Sequence, residues 1–208
     1  MEMKERIQRK AEELFRLYGI RSVTMDEIAS HLGISKKTIY HSFADKEEVV
    51  RAVFDAMLSE NKSCCLEGRN SALNPVHEIF LAFDQMQIMM DNMNPSILFD
   101  LEKYHPEVFK KFHEYKYSFL YDLIRKNLEW GIQDGIYRED INLDILTRFR
   151  IESAMMPFNP QTFPDNKKNF MLIQRVIIEH FLYGVASAKG IKLIEKYKHK
   201  IQPKPLAK

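Results

Sequence analysis

Residues 24–43 read TMDEIASHLGISKKTIYHSF and carry the most restrictive pattern in the chain. Thr24 is followed three positions later by Glu27, the spacing at which each side chain caps an unpaired amide at a helix start. Gly33 then ends this helix, because glycine readily adopts the left-handed conformation of a tight turn. Ser35 caps a second short helix. The segment therefore predicts two short helices joined by a sharp turn, which is the layout of a helix-turn-helix motif.

Helical patterns dominate the rest of the chain. Apolar residues recur at spacings of three and four, and no segment alternates with the period of two that is typical of a strand. The 7 glycines and 8 prolines provide too few turns for an all-β fold. Asn–Pro pairs at 74–75 and 94–95 predict helix starts, because proline suits the first helical position. The longer predicted helices cover residues 3–19, 24–32, 36–43, 45 to about 68, 106 to 131 or 135, 142–156 and about 166–188.

The second helix of the motif carries a basic and polar surface. Its apolar residue Ile39 can pack inward with Ile28 and Leu32 of the first helix. Lysines near a helix N-terminus contact phosphates, and hydroxyl or aromatic groups beside them reach base edges in a major groove. Lys46 adds a charge at the start of the next helix, where a phosphate binds well. The residues that indicate DNA contact are Lys36, Lys37, Thr38, Tyr40, His41 and Lys46.

Other interpretations of this surface stay open on the residues alone. Exposed lysines also occur on small helical bundles that bind no nucleic acid, and Tyr40 can pack against its own domain as readily as it can contact DNA. A helical protein-interaction module without DNA binding is therefore the first alternative, and an enzyme is the second. Binding to random duplex DNA distinguishes a regulator from an interaction module.

At these residues the chain resembles the tetracycline-repressor (TetR) family. The resemblance covers roughly residues 5–55 and departs at Lys37, where family members often have glycine. It implies a sequence-specific DNA-binding transcriptional regulator, a repressor released from its operator by a small lipophilic ligand, and not an enzyme. It also implies a phosphate contact by Thr24. The matching residues are Leu14, Phe15, Gly19, Thr24, Ile28, Ala29, Gly33, Ser35, Ile39, Tyr40, Phe43, Lys46 and Glu47.

Two later segments resemble the family more weakly. Residues 135–141 are similar to a turn between two ligand-domain helices, and residues 181–185 to a helix that commonly builds a dimer interface. The expectation is an all-α fold, with an N-terminal three-helix helix-turn-helix DNA-binding domain plus a larger C-terminal helical ligand-binding and dimerisation domain. The expected limits are 1–48 for the DNA-binding domain, 49–200 for the ligand-sensing and dimerisation domain, and 201–208 for a basic tail.

A homodimer is expected because one recognition helix reads too few base pairs for useful specificity. Two such helices must lie about 34–36 Å apart, one turn of B-DNA. The helix predicted at 166–188 is apolar on too many faces for a lone surface helix, so we expect it to form the dimer surface together with residues 142–156. Gly184 would allow close approach of helices there. The alternative is that this helix is buried within its own subunit.

The middle of the chain is rich in methionine and aromatic residues. Methionine adapts to irregular shapes and aromatic rings supply contact area, so such residues suit a pocket for a lipophilic molecule. The same residues at helical spacing are equally compatible with ordinary core packing, and it is the family resemblance that favours a pocket. The candidate pocket residues are Phe83, Met86, Met90, Phe99, Phe112, Phe119, Trp130 and Met155.

Motifs for enzymatic or metal chemistry are missing from the sequence. It contains no HExxH, no GxSxG and no phosphate-binding glycine loop. His105 and His113 lie near several carboxylates but lack ligand spacing, so we expect surface groups, no metal and no cofactor. Cys64 and Cys65 are adjacent and form no disulfide framework, and we expect them to be buried or half-buried on a helix, with a redox switch as the lesser alternative.

The ends of the chain carry no apolar targeting or membrane segment. No apolar run approaches the ~20 residues needed to span a bilayer, which predicts a cytoplasmic protein without a membrane partner. The net charge of +2 hides an uneven distribution, because residues 187–208 hold seven lysines and one glutamate. We expect this basic end to be a solvated, fraying helix and tail, with an additional nucleic-acid contact as the alternative.

Overall fold

The computed structural model describes residues 2–90, 93–94, 96–159, 161–164 and 166–198, with the backbone alone at residues 166–168. Within these ranges there is no strand, and Tyr137 pairs with Ala186 in an isolated antiparallel bridge. The all-α prediction is confirmed. The α-helices are α1 (Met3–Tyr18), α2 (Met25–Leu32), α3 (Lys36–Ser42), α4 (Lys46–Ser71), α5 (Pro75–Met90), α6 (Ile97–Tyr104), α7 (Pro106–Tyr115), α8 (Tyr121–Gln133), α9 (Leu143–Met155), α10 (Asn166–Val185) and α11 (Ala188–Lys198), with a π-helical segment at Lys116–Leu120 and a 3₁₀ turn at Met156–Phe158.

Several predicted helix limits differ from the structure, and α4 and α6 are two examples. α4 continues to Ser71 and does not end near Gly68, because a single glycine costs a helix only about 1 kcal/mol. The helix expected to start at the second Asn–Pro pair begins at Ile97, and the carboxamide oxygen of Asn94 accepts a hydrogen bond from the backbone amide of Ser96 at 3.1 Å. Pro95 itself lies outside the described residues.

The chain forms two compact units, each with its own apolar core. The first unit comprises the described residues of Met1–Ser63 and Met89–Tyr115, and the second those of Cys64–Ile88 and Lys116–Lys208. α4 begins in the first unit and ends in the second. The functional division expected after residue 48 stays a prediction, and the expected tail over 201–208 lies outside the described residues.

The core of the first unit forms around the three N-terminal helices. Side chains from α1, α2 and α3 are completely buried, as Ile7, Ile28 and Ile39 illustrate. α6 belongs to the same core, since Ile97 and Leu101 are also fully buried in it. The helix-turn-helix is thus held on a scaffold that includes residues far away in sequence. Other members of this core are Ala11, Leu14, Phe15, Ile20, Val23, Met25, Ala29, Phe43, Val49, Val50, Val53, Phe54 and Val108.

The second unit combines an apolar core with a buried polar network. The Asn127 amide nitrogen donates to the Glu78 carboxylate at 2.8 Å and to the Pro75 carbonyl at 2.9 Å. Arg69 donates to both oxygens of Glu78 at 3.2 Å, and the Tyr137 hydroxyl donates to the Asn127 carboxamide oxygen at 3.2 Å. A satisfied network of this kind fixes one packing of its helices. The apolar members of this core include Val76, Phe80, Phe83, Leu128, Ile136, Ile178, Phe181, Leu182, Val185 and Ile194.

The Lys-rich end packs more tightly than the sequence suggests. The expectation of a solvated, fraying helix is wrong for α11, because Ile194 is fully buried and Tyr197 is 5% exposed. The Tyr197 hydroxyl accepts a hydrogen bond from Asn74 at 3.0 Å, and its ring stacks on His77 at 4.8 Å. Charge dominates the composition here, but an apolar residue on each turn is enough to anchor one helix face.

The structure also tests the histidine and cysteine predictions. His105 is not a surface group, since it is 8% exposed and its ring Nδ1 hydrogen-bonds the Glu47 carboxylate. This pairing joins α4 to the end of α6, so only the folded chain reveals it. His113 is exposed, and Cys64 and Cys65 are half-buried on α4, as expected.

The described residues contain no group of three His, Cys, Asp or Glu that could hold a metal ion. None of the described helices is long and apolar enough to cross a membrane.

Gly131 is a position in the second unit where a side chain would be poorly tolerated. A Cβ there would overlap the ring of Tyr137, which is 1% exposed. We expect Gly131→Ala to lower the free energy of unfolding by about 3 kcal/mol, measured by urea denaturation. Gly68→Ala is the matched control, because its Cβ would meet only Leu81 at 4.0 Å, and it should be neutral or stabilising by up to about 1 kcal/mol. Equal effects of the two substitutions would contradict this packing.

Candidate nucleic-acid interface

The start of the helix-turn-helix is a complete capping box. The Thr24 hydroxyl accepts a hydrogen bond from the Glu27 amide at 3.2 Å, and the Glu27 carboxylate accepts from the Thr24 amide at 2.7 Å. The hydrogen bonds that Thr24 donates to the Glu27 carboxylate, chiefly from its backbone amide, lower the pKa of Glu27. The Thr24 hydroxyl also donates to Glu27 at 3.0 Å and is exposed to solvent. Thr24 is therefore a helix cap whose side chain also lies on the surface.

The turn and the second helix follow the predicted geometry. Gly33 has φ 65°, a left-handed conformation that side chains disfavour, and its amide donates to the Ser30 carbonyl at 3.1 Å. The Ser35 hydroxyl accepts from the Thr38 amide at 3.1 Å and lies 2.8 Å from the Thr38 hydroxyl. Thr38 therefore reaches a ligand only if its hydroxyl shares or exchanges the bond to Ser35. Ile39 is fully buried, which fixes the rotation of α3.

This rotation leaves the basic side of α3 on the surface. Lys36, Lys37 and His41 are exposed, and Tyr40 is 50% exposed. The exposed position of Tyr40 leaves its ring available to a partner. The structure brings these α3 side chains together on one short helix, and Lys46 follows at the start of α4.

Two of the predicted cations already have partners within the protein. The Lys36 ammonium pairs with the Asp26 carboxylate, whose hydrogen bond raises the pKa of Lys36. The Lys46 ammonium donates to the Ile20 carbonyl at 2.6 Å and is half-buried, and this burial lowers its pKa. The sequence predicts neither partner, because Asp26 and Ile20 reach these lysines only after the helices have packed. Lys37 has no such partner among the described residues.

The Asp26 carboxylate should oppose the approach of a phosphate to Lys36. We expect Asp26→Asn to tighten binding to duplex DNA by about two- to fivefold at low salt, because it removes one negative charge and releases the Lys36 ammonium. Fluorescence anisotropy with a labelled duplex measures the change. Asp55→Asn is a suitable control, since Asp55 is also exposed and paired with a lysine, Lys111, but lies on α4. Weaker binding by Asp26→Asn would place Lys36 outside the interface.

Comparisons with known proteins agree with this geometry. A family model described as bacterial regulatory proteins of the tetR family matches residues 7–53, which include the whole motif. The HTH-type transcriptional regulator YvaF of Bacillus subtilis is 27% identical over 160 residues, covering 72% of this chain and 79% of YvaF. The HTH-type transcriptional repressor KstR2 of Mycobacterium tuberculosis is 24% identical over 146 residues, covering 67% of this chain and 71% of the repressor.

The chain therefore carries a TetR-type DNA-binding domain over residues 7–53. It is a DNA-binding transcriptional regulator, which confirms the expectation of a regulator and not an enzyme. The fold of the whole chain agrees, because the structure of FadR from Bacillus subtilis in complex with stearoyl-CoA has a TM-score of 0.69 at 17% identity over 87% of this chain and 98% of FadR.

The residues that were expected to line a pocket lie in both units. Those in the first unit differ in environment, since Met90 is buried, Phe112 is half-buried and Phe99 is 46% exposed. Those in the second unit are Phe83, Met86, Phe119, Trp130 and Met155. Phe83 belongs to the apolar core, whereas Trp130 lies in an open cleft of about 470 Å³ with polar side chains. The lining residues of that cleft are Arg69, Asn70, Lys126, Glu129, Trp130 and Gln133.

The two helices expected to form a dimer surface each have a buried and an exposed apolar face. On α10, Ile178 and Leu182 are buried, whereas Leu172 is 54% and Val176 is 60% exposed. On α9, Phe149 is 50% exposed. Burial of α10 wholly within its own subunit would therefore explain its buried face but not its exposed face. Ile145 on α9 is 62% exposed and Tyr183 on α10 is 36% exposed.

Proposed function

We propose that the protein is a homodimeric repressor that leaves its operator when a small lipophilic molecule binds to the second unit. The observation that carries this proposal is the intact helix-turn-helix with exposed lysines on α3. In the proposal, residues 1–48 read DNA, residues 49–200 sense the ligand and dimerise, and the tail at 201–208 adds positive charge.

DNA reading is assigned to the exposed side of α3 and the residues around it. Lys37 is the cation best placed for a phosphate, because no described residue competes for it. Lys36 and Lys46 join it by exchanging an internal partner for a phosphate or a guanine edge, while Tyr40 reaches the sugar or a base. The proposed contact residues are Thr24, Lys36, Lys37, Thr38, Tyr40, His41 and Lys46.

The exposed apolar faces of α9 and α10 support the homodimer. Single exposed apolar residues are normal, but four of them spaced one turn apart on consecutive helices indicate a surface that is covered by a partner. A second copy of the chain is the natural partner, because an isologous interface spaces two copies of α3 for two half-sites. The four residues are Ile145, Phe149, Leu172 and Val176.

The lipophilic ligand is proposed from the composition of the second unit and from its relatives. KstR2 of Mycobacterium tuberculosis is described as a ketosteroid transcriptional regulator, and FadR of Bacillus subtilis is described in complex with stearoyl-CoA. We assign the pocket to the second unit, where Phe83, Met86 and Phe119 offer apolar side chains. To cause release, the ligand must bind more tightly to the conformation whose α3 spacing does not fit the operator. A ligand with equal affinity for both conformations would not shift the equilibrium between them. α4 is the proposed lever, because it runs through both units.

One experiment tests both parts of this proposal. Duplexes selected from a random library by the full-length protein should share an inverted repeat and bind with salt-dependent affinity. Addition of the correct molecule from a panel of steroids, fatty acids and acyl-CoA thioesters should weaken that binding by roughly 5- to 150-fold. Failure to select any duplex would support an interaction module without DNA binding. If an operator is selected but no compound changes the affinity of the protein for it, the ligand is rejected and the DNA-binding part of the proposal stands.

A further inference from the structure

Arg150 on α9 is a buried cation that forms no ion pair with any residue the structure describes. Its side chain belongs to the second unit and the residue is only 9% exposed, although arginine is rarely buried unless it is paired. The Nη1 atom is buried and makes no hydrogen bond with any residue that the structure describes. Burial lowers the pKa of Arg150 to about 10, so the guanidinium is still charged at neutral pH.

The surroundings of Arg150 explain why no internal carboxylate satisfies it. The guanidinium carbon lies 5.6 Å from the centre of the Phe181 ring, which provides an apolar wall. Glu78, the buried acid of this unit, already accepts two hydrogen bonds from Arg69 at 3.2 Å and one from Asn127 at 2.8 Å. The nearby Tyr137 hydroxyl is used as a donor to Asn127. The charge on Arg150 is therefore left for something outside this network.

A second unsatisfied polar atom lies on the same pair of helices. Gln174 on α10 is fully buried, and its amide nitrogen donates to the carbonyl of Ala154 at 2.6 Å, one turn beyond Arg150 on α9. The Gln174 amide oxygen has no partner among the described residues. Buried polar groups are almost always hydrogen-bonded, so the unmatched Nη1 donor of Arg150 indicates a site that an acceptor from outside the chain completes. The Gln174 oxygen requires a donor of its own, which a buried water can supply.

We infer that Arg150 binds the charged group of the effector, and that the effector is a monocarboxylate with an apolar body. One guanidinium balances one negative charge and can donate two parallel hydrogen bonds to a carboxylate. A phosphate dianion or a coenzyme A tail would require several cations. The apolar body follows from the ring of Phe181 and the core around it. This inference rests on the proposed ligand-responsive function and narrows its ligand to one chemical class.

The test compares an acid with the alcohol of the same length on the full-length protein. Dodecanoate and dodecanol differ only in the charged group, and isothermal titration calorimetry below the critical micelle concentration measures both affinities. We expect the wild type to bind the acid about 10- to 100-fold more tightly than the alcohol, the range for a charge-assisted hydrogen bond. Arg150→Met should abolish this preference, so that the acid and the alcohol bind with similar affinity, whereas Arg150→Lys should retain part of it. Arg125→Met is the control, since Arg125 is paired with Glu129 on the surface of α8.

Each other outcome overturns the inference in a recognisable way. Equal binding of acid and alcohol, or binding of dodecanoyl-CoA that is insensitive to Arg150→Met, would reject the role of Arg150 and preserve a lipophilic ligand. Absence of binding for every probe would count against the ligand of the proposed function as well. A dimer that dissociates in Arg150→Met, with no acid binding by the wild type, would show that a carboxylate of a second copy pairs with Arg150. The wild-type comparison remains decisive if Arg150→Met fails to fold.

Discussion

A variant with Lys36→Ala and Lys37→Ala is expected to fold normally and to lose operator binding almost completely at physiological salt. Both side chains are exposed at the start of α3, where their removal leaves the buried Ile39 and the helix caps unchanged. Phosphate neutralisation by lysine supplies much of the affinity of such proteins for DNA. We therefore expect a loss of affinity of about 100-fold or more at 150 mM salt.

The salt dependence of binding separates phosphate contacts from other causes of lost affinity. Each phosphate contact contributes about 0.9 to the slope of log affinity against log salt concentration, so a dimer that loses two contacts in each subunit should lose about 3.6. Anisotropy titrations at four or five salt concentrations give the slope. Lys110→Ala with Lys126→Ala is the matched control, because it removes the same charge from exposed positions outside the motif. A double variant at positions 36 and 37 with the wild-type slope would refute the assignment of α3 as the recognition helix.

The local signals in the sequence predicted the motif because the interactions that define it are local. The Thr24–Glu27 box, the left-handed Gly33 and the Ser35 cap each join residues no more than a few positions apart. Their geometry is therefore specified by residues within each short segment. The same holds for the all-α fold, since helical periodicity and helix caps are read within single segments.

The sequence could not predict which side chains pair between different helices. The pairing of Lys36 with Asp26 and the bond from Lys46 to Ile20 depend on how helices α1 to α4 pack. His105 was expected on the surface because its neighbours along the chain are charged, yet its burial depends on Glu47, 58 positions away. Arg150 gave no signal, since one arginine on an amphipathic helix is usually solvated.

The most decisive single substitution outside the DNA-binding motif is expected to be Leu172→Arg. Leu172 lies on the exposed apolar face of α10 and is 54% exposed, so a charged side chain is accommodated by the subunit itself. In a dimer, the same position would place two arginines in an apolar interface, and burying an unpaired charge costs several kcal/mol. We expect Leu172→Arg to be a folded monomer.

Loss of the dimer should also remove operator binding, although Leu172 is far from α3 in sequence. Two linked reading heads bind with an avidity about 10²- to 10⁴-fold greater than one head alone, and a monomer forfeits this gain. Light scattering should give 24.7 kDa for Leu172→Arg and twice that mass for the wild type. Leu73→Arg is the matched control, because Leu73 is 77% exposed and lies outside α9 and α10, so this variant should remain dimeric and bind DNA. A dimeric Leu172→Arg would exclude this face as the interface, and a wild type of 24.7 kDa at micromolar concentration would refute the homodimer itself.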